Sequence, residues 1–465
     1  MRSMKSAKPR SMKFTFWYKP ATFLVASLLF AALGVLSFFA SQNSWYNSFG
    51  GIEAYTWSLR FASLFGFMAI MTISPSVRDW VIGLCIRSWS WLTQERPELP
   101  GKKDQWAVLG FLRCALAAVV MICHTDNILF ANDAKHWTHV LIPAGGFAAV
   151  IGFFIVSGYS IGSSVEREAE HYAYRRFWRI VPVYWAALAF CAVPFLRYGL
   201  HLQIQGATES IPTFWQVVIV ALFLQNIVGL PFGMFGQSWS LSSEVVYYTF
   251  APWLRRLTTR WILLIAALSI AGYLWHESLP ITTKWAGYWS EMYGRGIGCL
   301  AWAWLAGFLA WRWRHIKGLL FVLPLGTTLL TIHDGVTWEP LGWVIVLISS
   351  LVISVSFLIK LPRTIATAGI FLGGVSYPLY LFHRQTLYLA HYLLQSPRHH
   401  VPGSLVGLLG VILCLGVASV VYVLVDAPLQ RWARNRTKAK LVDPPSQADE
   451  RTPQVVPSDR SAVTP

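Results

Sequence analysis

Long apolar stretches recur along almost the whole chain and are separated by short polar segments. Two of them lie near the N-terminus, at about 21–40 and 57–73. A transmembrane helix needs roughly 20 predominantly apolar residues, which is the length of most of these stretches. The remaining stretches predict a core of about ten spans, at 107–131, 143–163, 180–198, 214–231, 261–276, 290–311, 318–332, 341–359, 366–392 and 403–425. The pattern therefore predicts an all-α polytopic membrane protein with about 12 transmembrane helices.

Basic residues in the connecting loops constrain the topology, because Lys and Arg concentrate in the cytoplasmic loops of membrane proteins. These clusters fall on one side only if the short apolar segment around 245–252 does not cross the membrane. We therefore predict that Gly236–Leu254 is a re-entrant segment, which is tolerated only inside protein or beside a cavity. The clusters are Arg175/Arg176/Arg179, Arg255/Arg256/Arg260, Arg312/Arg314/Lys317, Lys360/Arg363 and Arg431/Arg434/Arg436.

Shifts in composition predict three regions. Residues 1–100 form an N-terminal extension of two spans and a mixed-charge cytoplasmic linker, and no cleavage site follows the first apolar run, so it is interpreted as an anchor. Residues 101–436 form the ten-span core. Residues 437–465 are rich in Pro, Ser and charge, which predicts a disordered cytoplasmic tail. Both termini are expected in the cytoplasm, because basic residues flank the first and last spans.

Composition excludes several classes of protein. The chain is 55% hydrophobic and only 13% charged, which is not typical of a soluble protein. Its net charge of +17 does not indicate nucleic-acid binding, because the basic residues sit in short loops between apolar runs. The six cysteines are scattered without a CxxC pair, so neither a disulfide framework nor a metal site is expected.

Ionisable residues within the apolar stretches are the first candidates for chemistry, since each costs roughly 2.5–3.5 kcal/mol at the centre of a membrane. Arg113 and His124 lie on one predicted helix, and a separation of three turns puts them on one face about 16 Å apart. Glu244 has no basic neighbour within a turn, so we expect its partner on another helix. His383 and Arg384 lie deep in the ninth predicted core span, and Asp426 ends the tenth. For each of these residues, structural pairing or packing is the alternative to catalysis.

Two further patterns also allow two interpretations. Arg175, Arg176 and Arg179 follow the second core span and either set topology or bind the phosphates of a cytosolic cofactor, which suit the planar guanidinium. Gly158, Ser160 and Gly162 lie in that span and either let helices pack closely or line a site.

Five stretches, taken in order, resemble motifs of the acyltransferase-3 family of integral-membrane acyltransferases. The family's Arg-x10-His helix is similar to the helix of Arg113 and His124. The other four matches are Phe153–Tyr159 (FFIVSGY), Arg176–Tyr184 (RFWRIVPVY), Trp239–Glu244 (WSLSSE) and Ser376–His383 (SYPLYLFH). Together they extend across the whole predicted core.

This resemblance implies transfer of an acyl group, commonly acetyl, from cytosolic acyl-CoA to a hydroxyl of a glycan or lipid-linked saccharide, in an enzyme of a bacterial inner membrane. His124 would act as general base or as a transiently acylated nucleophile, with Arg113 and Glu244 as catalytic partners. Glu244 would orient His124 as a carboxylate does in a catalytic triad. Arg175, Arg176 and Arg179 would bind the donor phosphates. The matched stretches add Ser157, Tyr159, Trp239, Ser242, Tyr377 and His383 as candidate site residues.

Two other functions remain open at this point. A proton-coupled transporter of a sugar-like solute would also keep His, Glu and Arg inside the membrane, although such transporters usually contain repeated halves and this chain shows no internal repeat. A protein that flips or scaffolds a glycan is the third possibility. The acceptor, the acyl length and the oligomeric state do not follow from the sequence.

Overall fold

A computed structural model describes residues 102–130, 133, 135–167, 171–199, 201–204, 207–228, 231–277, 296–332, 340–394 and 402–442, together with the isolated positions 79, 83, 86, 90 and 94. The chain divides into two compact units, Met1–Gln94 and Glu95–Pro465. The predicted spans at 21–40 and 57–73, and most of the predicted tail, lie outside the described residues. The elements that follow all belong to the second unit.

Helices dominate the described part of the second unit. The first half contains α1 (Lys102–Phe130), α2 (Gly146–Arg167), α3 (Tyr172–Phe190), α4 (Ala192–Tyr198), α5 (Phe214–Ala221), α6 (Ser238–Arg256) and α7 (Thr259–Glu277). The second half contains α8 (Ala301–Arg312), α9 (Leu319–Ile332), α10 (Gly342–Val355), α11 (Arg363–Leu394), α12 (Gly403–Val421) and α13 (Ala427–Val442). A π-helical turn, Tyr422–Asp426, joins α12 to α13. Helix α13 continues to Val442, past the predicted start of the tail at 437.

Short elements fill the connections. Strands β1 (His201–Ile204) and β2 (Ala207–Ser210) form an antiparallel hairpin in which His201 pairs with Ser210. A one-turn helix occupies Gly296–Gly298. Short 3-10 helices occupy Trp137–Leu141, Gly233–Phe235 and Ser356–Leu358.

The described helices are those of an integral membrane protein. Five helical segments, 103–130, 146–167, 172–198, 363–394 and 403–436, are long and apolar enough to cross a bilayer. Shorter apolar helices occupy 259–275, 319–332 and 342–358. Most of the predicted core spans therefore correspond to helices with nearly the predicted bounds, whereas the described residues do not establish the full count of 12.

The region 214–256 differs from the prediction. Helix α5 has 8 residues, and such a helix rises about 12 Å, far less than the roughly 30 Å of a hydrocarbon core. Turns and a 3-10 helix occupy the described positions between Leu222 and Gln237, and α6 then runs as one continuous helix. The predicted full span at 214–231 is wrong, because its helix ends at Ala221. The predicted turning back within Gly236–Leu254 is also wrong, because α6 is continuous there.

Close contacts between glycines set the positions of the helices that carry the candidate residues. On α11, a Cβ atom at Gly373 would lie 2.7 Å from the Cα atom of Gly110 on α1. A Cβ atom at Gly158 on α2 would overlap the backbone carbonyl of Trp304 on α8. Small residues at such crossings let helix backbones touch, which is a common basis of helix association in membranes. The helices that bear Arg113, His124 and His383 are therefore held in direct contact.

Candidate active site

A polar cavity lies among helices α1, α2, α3, α6 and α11. Its volume is about 120 Å³. Arginine, glutamate, serine and tyrosine side chains project into it, and aromatic and aliphatic residues close the remaining wall. The polar lining residues are Arg113, Ser157, Ser160, Arg176, Arg179, Ser240, Glu244, Tyr248, Ser376, Tyr377 and Tyr380. All five sequence stretches singled out above therefore contribute side chains to one cavity, the first of them through Arg113.

Three guanidinium groups converge on this cavity, which we call the arginine cavity. Arg113 donates a hydrogen bond to the hydroxyl of Ser160 on the neighbouring helix. The Arg176 guanidinium lies over the rings of Tyr172 and Tyr248, at 5.7 and 5.9 Å from their centroids. Its Nε atom is buried and has no hydrogen-bond partner among the described residues. A buried donor without a partner is unusual, and binding of an anion would satisfy it.

Arg179 and Arg175 have different surroundings. Arg179 lines the arginine cavity and lies 3.8 Å from the Oδ2 atom of the fully buried Asp426, which the π-helical turn carries inward. Arg175 is absent from the cavity lining and directs its guanidinium to the backbone carbonyl of Ser164, at 3.4 Å. The structure therefore brings Arg176 and Arg179 together with Arg113 but leaves Arg175 beside them.

Glu244 has polar partners on its own helix and on other helices. Tyr248, one turn later on the same helix, donates its hydroxyl proton to Glu244 Oε2 at 2.8 Å. The Ser157 hydroxyl lies 2.8 Å from the Tyr248 hydroxyl and links this pair to α2. Ser157 also hydrogen-bonds to Glu244, and Arg113 and Arg176 interact with it electrostatically, so other helices do supply partners. No hydrogen bond joins Glu244 to His124 within the described part of the chain, so the geometry of a catalytic triad is not present.

His124 and His383 form a second polar cluster, which we call the histidine pair. Their ring centroids are 5.0 Å apart in an edge-to-face arrangement. The Nδ1 atom of His124 lies 2.9 Å from the carbonyl oxygen of Val120, four residues earlier on the helix. The Nδ1 atom of His383 lies 2.8 Å from the Tyr380 carbonyl oxygen. Neither histidine lines the arginine cavity.

Tyr380 connects the two regions. It lines the arginine cavity, and its ring centroid is 6.0 Å from that of His383 and 5.5 Å from that of Phe153. Its hydroxyl lies 2.7 Å from that of Ser240. The sequence contained a signal for this role, because residues 377, 380 and 383 recur at spacings that place them on one helix face. Sequence analysis nevertheless missed Tyr380, as it missed Tyr248, whereas Ser160 was among the possible lining residues.

The other candidate residues have structural surroundings. Trp239 packs on Phe147 and Phe154. The Ser242 hydroxyl donates to the carbonyl of Phe223 at 2.6 Å, and Phe223 has a φ of 60°, which is rare for a residue with a side chain. These contacts hold the helix break that precedes α6.

Tyr159 and Tyr377 also make defined contacts. The Tyr159 hydroxyl accepts a hydrogen bond from Gln105 at 2.7 Å, away from the arginine cavity. Tyr377 lines the cavity and donates to the carbonyl of Ile180 at 2.9 Å. The cavity residues among the candidates therefore include Ser157, Glu244 and Tyr377. The surrounding fold is supported by Tyr159, Trp239 and Ser242.

A further cluster lies next to the histidine pair, and sequence analysis singled out only its Arg384. The Tyr388 hydroxyl donates to Glu209 Oε1 at 2.9 Å, and Glu209 comes from β2 of the hairpin. Arg384 hydrogen-bonds to Tyr388 and interacts electrostatically with both His124 and His383. The hairpin is thus attached to the helix that carries His383.

Comparisons with known proteins identify the family of the chain. The family described as an acyltransferase domain matches residues 106–423. The chain is 25% identical over 248 residues to nodulation protein 10 of Rhizobium leguminosarum bv. viciae. The matched region covers 50% of this chain and 66% of that protein. The chain is also 23% identical over 229 residues to "Putative acetyltransferase ORF330" of Acidianus two-tailed virus. That match covers 47% of this chain and 66% of the viral protein. The chain therefore spans just under two thirds of the length of these relatives. No solved structure matches it significantly.

Proposed function

The chain belongs to the acyltransferase-3 family of integral-membrane acyltransferases, and from this premise we propose that it transfers an acyl group from cytosolic acyl-CoA to a hydroxyl of a glycan or lipid-linked saccharide. The observation that carries the proposal is the convergence of Arg113, Arg176 and Arg179 on one cavity whose wall, at Tyr380, also contacts the histidine pair. The name of the viral relative supports acetyl as the transferred group.

The arginine cavity has the chemistry that a phosphorylated donor requires. Guanidinium groups bind phosphate oxygens in a bidentate manner, and three of them line this cavity together with one carboxylate, that of Glu244. Asp426 lies beside Arg179 but does not line the cavity. The unpartnered Nε atom of Arg176 adds a donor that an anion would satisfy. These features support binding of the phosphate groups of CoA, with the thioester directed towards Tyr380.

His124 is the proposed general base. Because a backbone carbonyl accepts only, the contact with Val120 fixes the proton of the neutral imidazole on Nδ1 and leaves a lone pair on Nε2. Nε2 removes the proton of the acceptor hydroxyl as the oxygen attacks the thioester carbon. The carbon–sulfur bond then breaks, and the CoA thiolate takes up that proton. The imidazole is regenerated.

The proposed orientation places the donor and the acceptor at opposite ends of the site. Arg113 lies nearer the start of α1, where Lys103 and other basic residues support a cytoplasmic end. His124 lies 11 residues further along the same helix, a rise of about 16 Å. The acceptor would therefore reach the histidine pair from the opposite face, in an inner membrane with both termini in the cytoplasm.

The test uses purified protein in lipid nanodiscs with radiolabelled acetyl-CoA. Acceptors are glucose and N-acetylglucosamine oligosaccharides and lipid-linked saccharides extracted from membranes. We expect acceptor-dependent release of free CoA thiol and a labelled, base-labile ester on the acceptor. Binding of CoA without acceptor is measured by calorimetry as a separate property of the arginine cavity.

Arg175→Ala provides a matched control for Arg176→Ala, because the two arginines are adjacent and only Arg176 lines the cavity. We expect Arg176→Ala to weaken CoA binding and Arg175→Ala to leave it close to that of the wild type. Absence of both CoA binding and CoA release in the wild-type protein would contradict the proposal. Uptake of a saccharide driven by a proton gradient, without any acyl transfer, would favour the transporter instead.

A further inference from the structure

His383 has an unusual environment. It is 0% exposed, and its Nε2 atom has no hydrogen-bond partner among the described residues. The Nδ1 atom faces the carbonyl oxygens of Tyr380 and Leu379 at 2.8 and 3.2 Å. Since a carbonyl cannot donate, the neutral ring carries its proton on Nδ1, and Nε2 keeps a buried, unused lone pair. Buried polar atoms are nearly always satisfied, so such a lone pair calls for an explanation.

His124 is held in the same tautomer by the same device. Its Nδ1 atom faces the Val120 carbonyl at 2.9 Å, so the Nε2 atoms of both imidazoles are acceptors when the rings are neutral. The edge-to-face rings have centroids 5.0 Å apart, which is direct contact. Two acceptor nitrogens on neighbouring rings cannot hydrogen-bond to each other, whereas a proton on one of them could be shared with the other.

The other neighbours of His383 do not satisfy this lone pair. The Tyr380 hydroxyl is hydrogen-bonded to Ser240 and to the carbonyl of Gln237. The thiol of Cys414, on α12, contacts the backbone oxygen of His383 rather than its ring. Arg384 is the charged side chain that interacts electrostatically with both imidazoles. No carboxylate is bonded to either histidine within the described residues, so the partner that stabilises an imidazolium in a Ser-His-Asp triad has no counterpart here.

We propose that His383 is a positioning residue whose Nε2 atom accepts a hydrogen bond from the His124 imidazolium during acyl transfer. This inference rests on the proposed function. When the acceptor O–H bond breaks, the proton forms an N–H bond at Nε2 of His124, and the lone pair of His383 holds that N–H group in a hydrogen bond. The ester C–O bond forms, the C–S bond breaks, and the thiolate then takes the proton. Both imidazoles return to their neutral tautomers.

Complete burial assigns His383 an indirect role. A side chain without exposed surface does not reach a hydroxyl of the acceptor, whereas its ring already contacts that of His124. His383 therefore acts through His124. Its removal should lower kcat and leave the KM values for donor and acceptor nearly unchanged.

The decisive experiment compares His383→Phe with His383→Gln. Phenylalanine fills the space but accepts no hydrogen bond, whereas the glutamine amide oxygen accepts one. We expect kcat to fall about 10- to 100-fold in His383→Phe and distinctly less in His383→Gln, since a hydrogen bond to a charged group is lost only in the former. A purely structural role predicts the opposite order, because an apolar side chain fits a buried site better than an amide.

Two controls keep a folding defect separate from the proposed role. Unchanged CoA binding shows that the arginine cavity is intact in each variant. His391→Phe, two turns further along α11 and half-buried, should retain wild-type kcat. The double variant His124→Ala/His383→Phe should be no slower than His124→Ala alone, because His383 acts only through His124. Additive losses, or wild-type kcat in His383→Phe, would overturn the proposal.

A second measurement does not depend on turnover. In protein with ¹⁵N-labelled histidine, solid-state NMR at acidic pH should detect a coupling between two imidazole nitrogens across a shared hydrogen. That coupling should vanish in His383→Phe and persist in His391→Phe. Its absence in the wild type overturns the role of His383 whether or not transfer occurs, whereas loss of acyl transfer with the coupling intact argues against the proposed function alone.

Discussion

The arginine cavity and the histidine pair share helices α1 and α11 but differ in the polar group that lacks a partner, which is a donor in the cavity and the Nε2 acceptor of His383 in the pair. In the cavity, Arg176 keeps an unpartnered donor and three guanidiniums face an open space. Around the histidines, every Nδ1 atom is bonded and His383 has no exposed surface. Open, unsatisfied charge suits binding of an anion, whereas a packed, fixed ring suits proton transfer, which requires accurate geometry.

The comparison is tested most strongly at His124. In His124→Ala we expect kcat to fall by about 10²–10⁴-fold, the usual effect of removing a general base. CoA binding should stay unchanged, because His124 does not line the arginine cavity. Steady-state kinetics and calorimetry on the same preparation check both statements. Weakened CoA binding in this variant would mean that the two regions are not functionally separate.

The arginine cavity should respond in the opposite way. Arg176→Ala and Arg179→Ala should raise the KM for acyl-CoA by about 10- to 100-fold, since a charge-assisted phosphate contact is lost in each. The KM for the acceptor should change little. Lysine at either position should restore binding only in part because it lacks the bidentate fork. Initial rates at varied donor concentration measure this KM. An unchanged donor KM in both alanine variants would show that these arginines do not bind the donor phosphates.

The hairpin contact should affect the acceptor side alone. Tyr388→Phe removes the hydroxyl that bonds Glu209, and we expect the KM for the acceptor to rise by a few-fold, roughly the value of one hydrogen bond. Glu209→Gln keeps an oxygen acceptor and should be milder than Glu209→Ala. Thr208→Ala, on the same strand and exposed, is the control. An equal rise in the donor KM would show that the hairpin influences both regions.

The smallest expected effect concerns Asp426, which lies 3.8 Å from Arg179. Asp426→Asn removes a negative charge that competes with an anion for this guanidinium, while an amide oxygen can still accept from Gln430. We expect CoA to bind about two- to five-fold more tightly, a typical size for one partly exposed charge pair. Calorimetry at low and high salt measures the change, which should shrink as salt screens it. Weaker CoA binding in this variant would instead show that Asp426 is needed to hold Arg179 in place.

Much of the fold was predictable because the period and length of apolar stretches depend on local sequence. The stretch predicted at 366–392 is helix Arg363–Leu394, and that predicted at 318–332 is helix Leu319–Ile332. The helix break before α6 was not predictable in this way. It depends on the positive φ of Phe223, whose carbonyl is bonded by Ser242, 19 residues later. Hydropathy along the chain contains no information on such a contact.

The candidate site divides in the same manner. Sequence spacing placed Arg113 and His124 on one helix and marked Glu244 and His383 as ionisable residues within apolar stretches. The charge clusters supplied Arg176 and Arg179, and the family resemblance added Tyr377. The sequence did not reveal that Tyr248 is a partner of Glu244 or that Arg175 lies outside the cavity lining. Both depend on the direction of a side chain, which is set by the helix that packs against it. Tyr248 carried no charge that would have drawn attention to it.

The sequence by itself determined that the chain is a helical membrane protein and which residues carry ionisable groups into its apolar helices, because the cost of burying charge and the length of a span are properties of each segment. Only the tertiary structure decided which of these residues meet. Gly110 and Gly373 let α1 and α11 touch, and that contact brings His124 to His383. Contacts between helices far apart in the chain depend on the shapes of both surfaces, which no single segment contains.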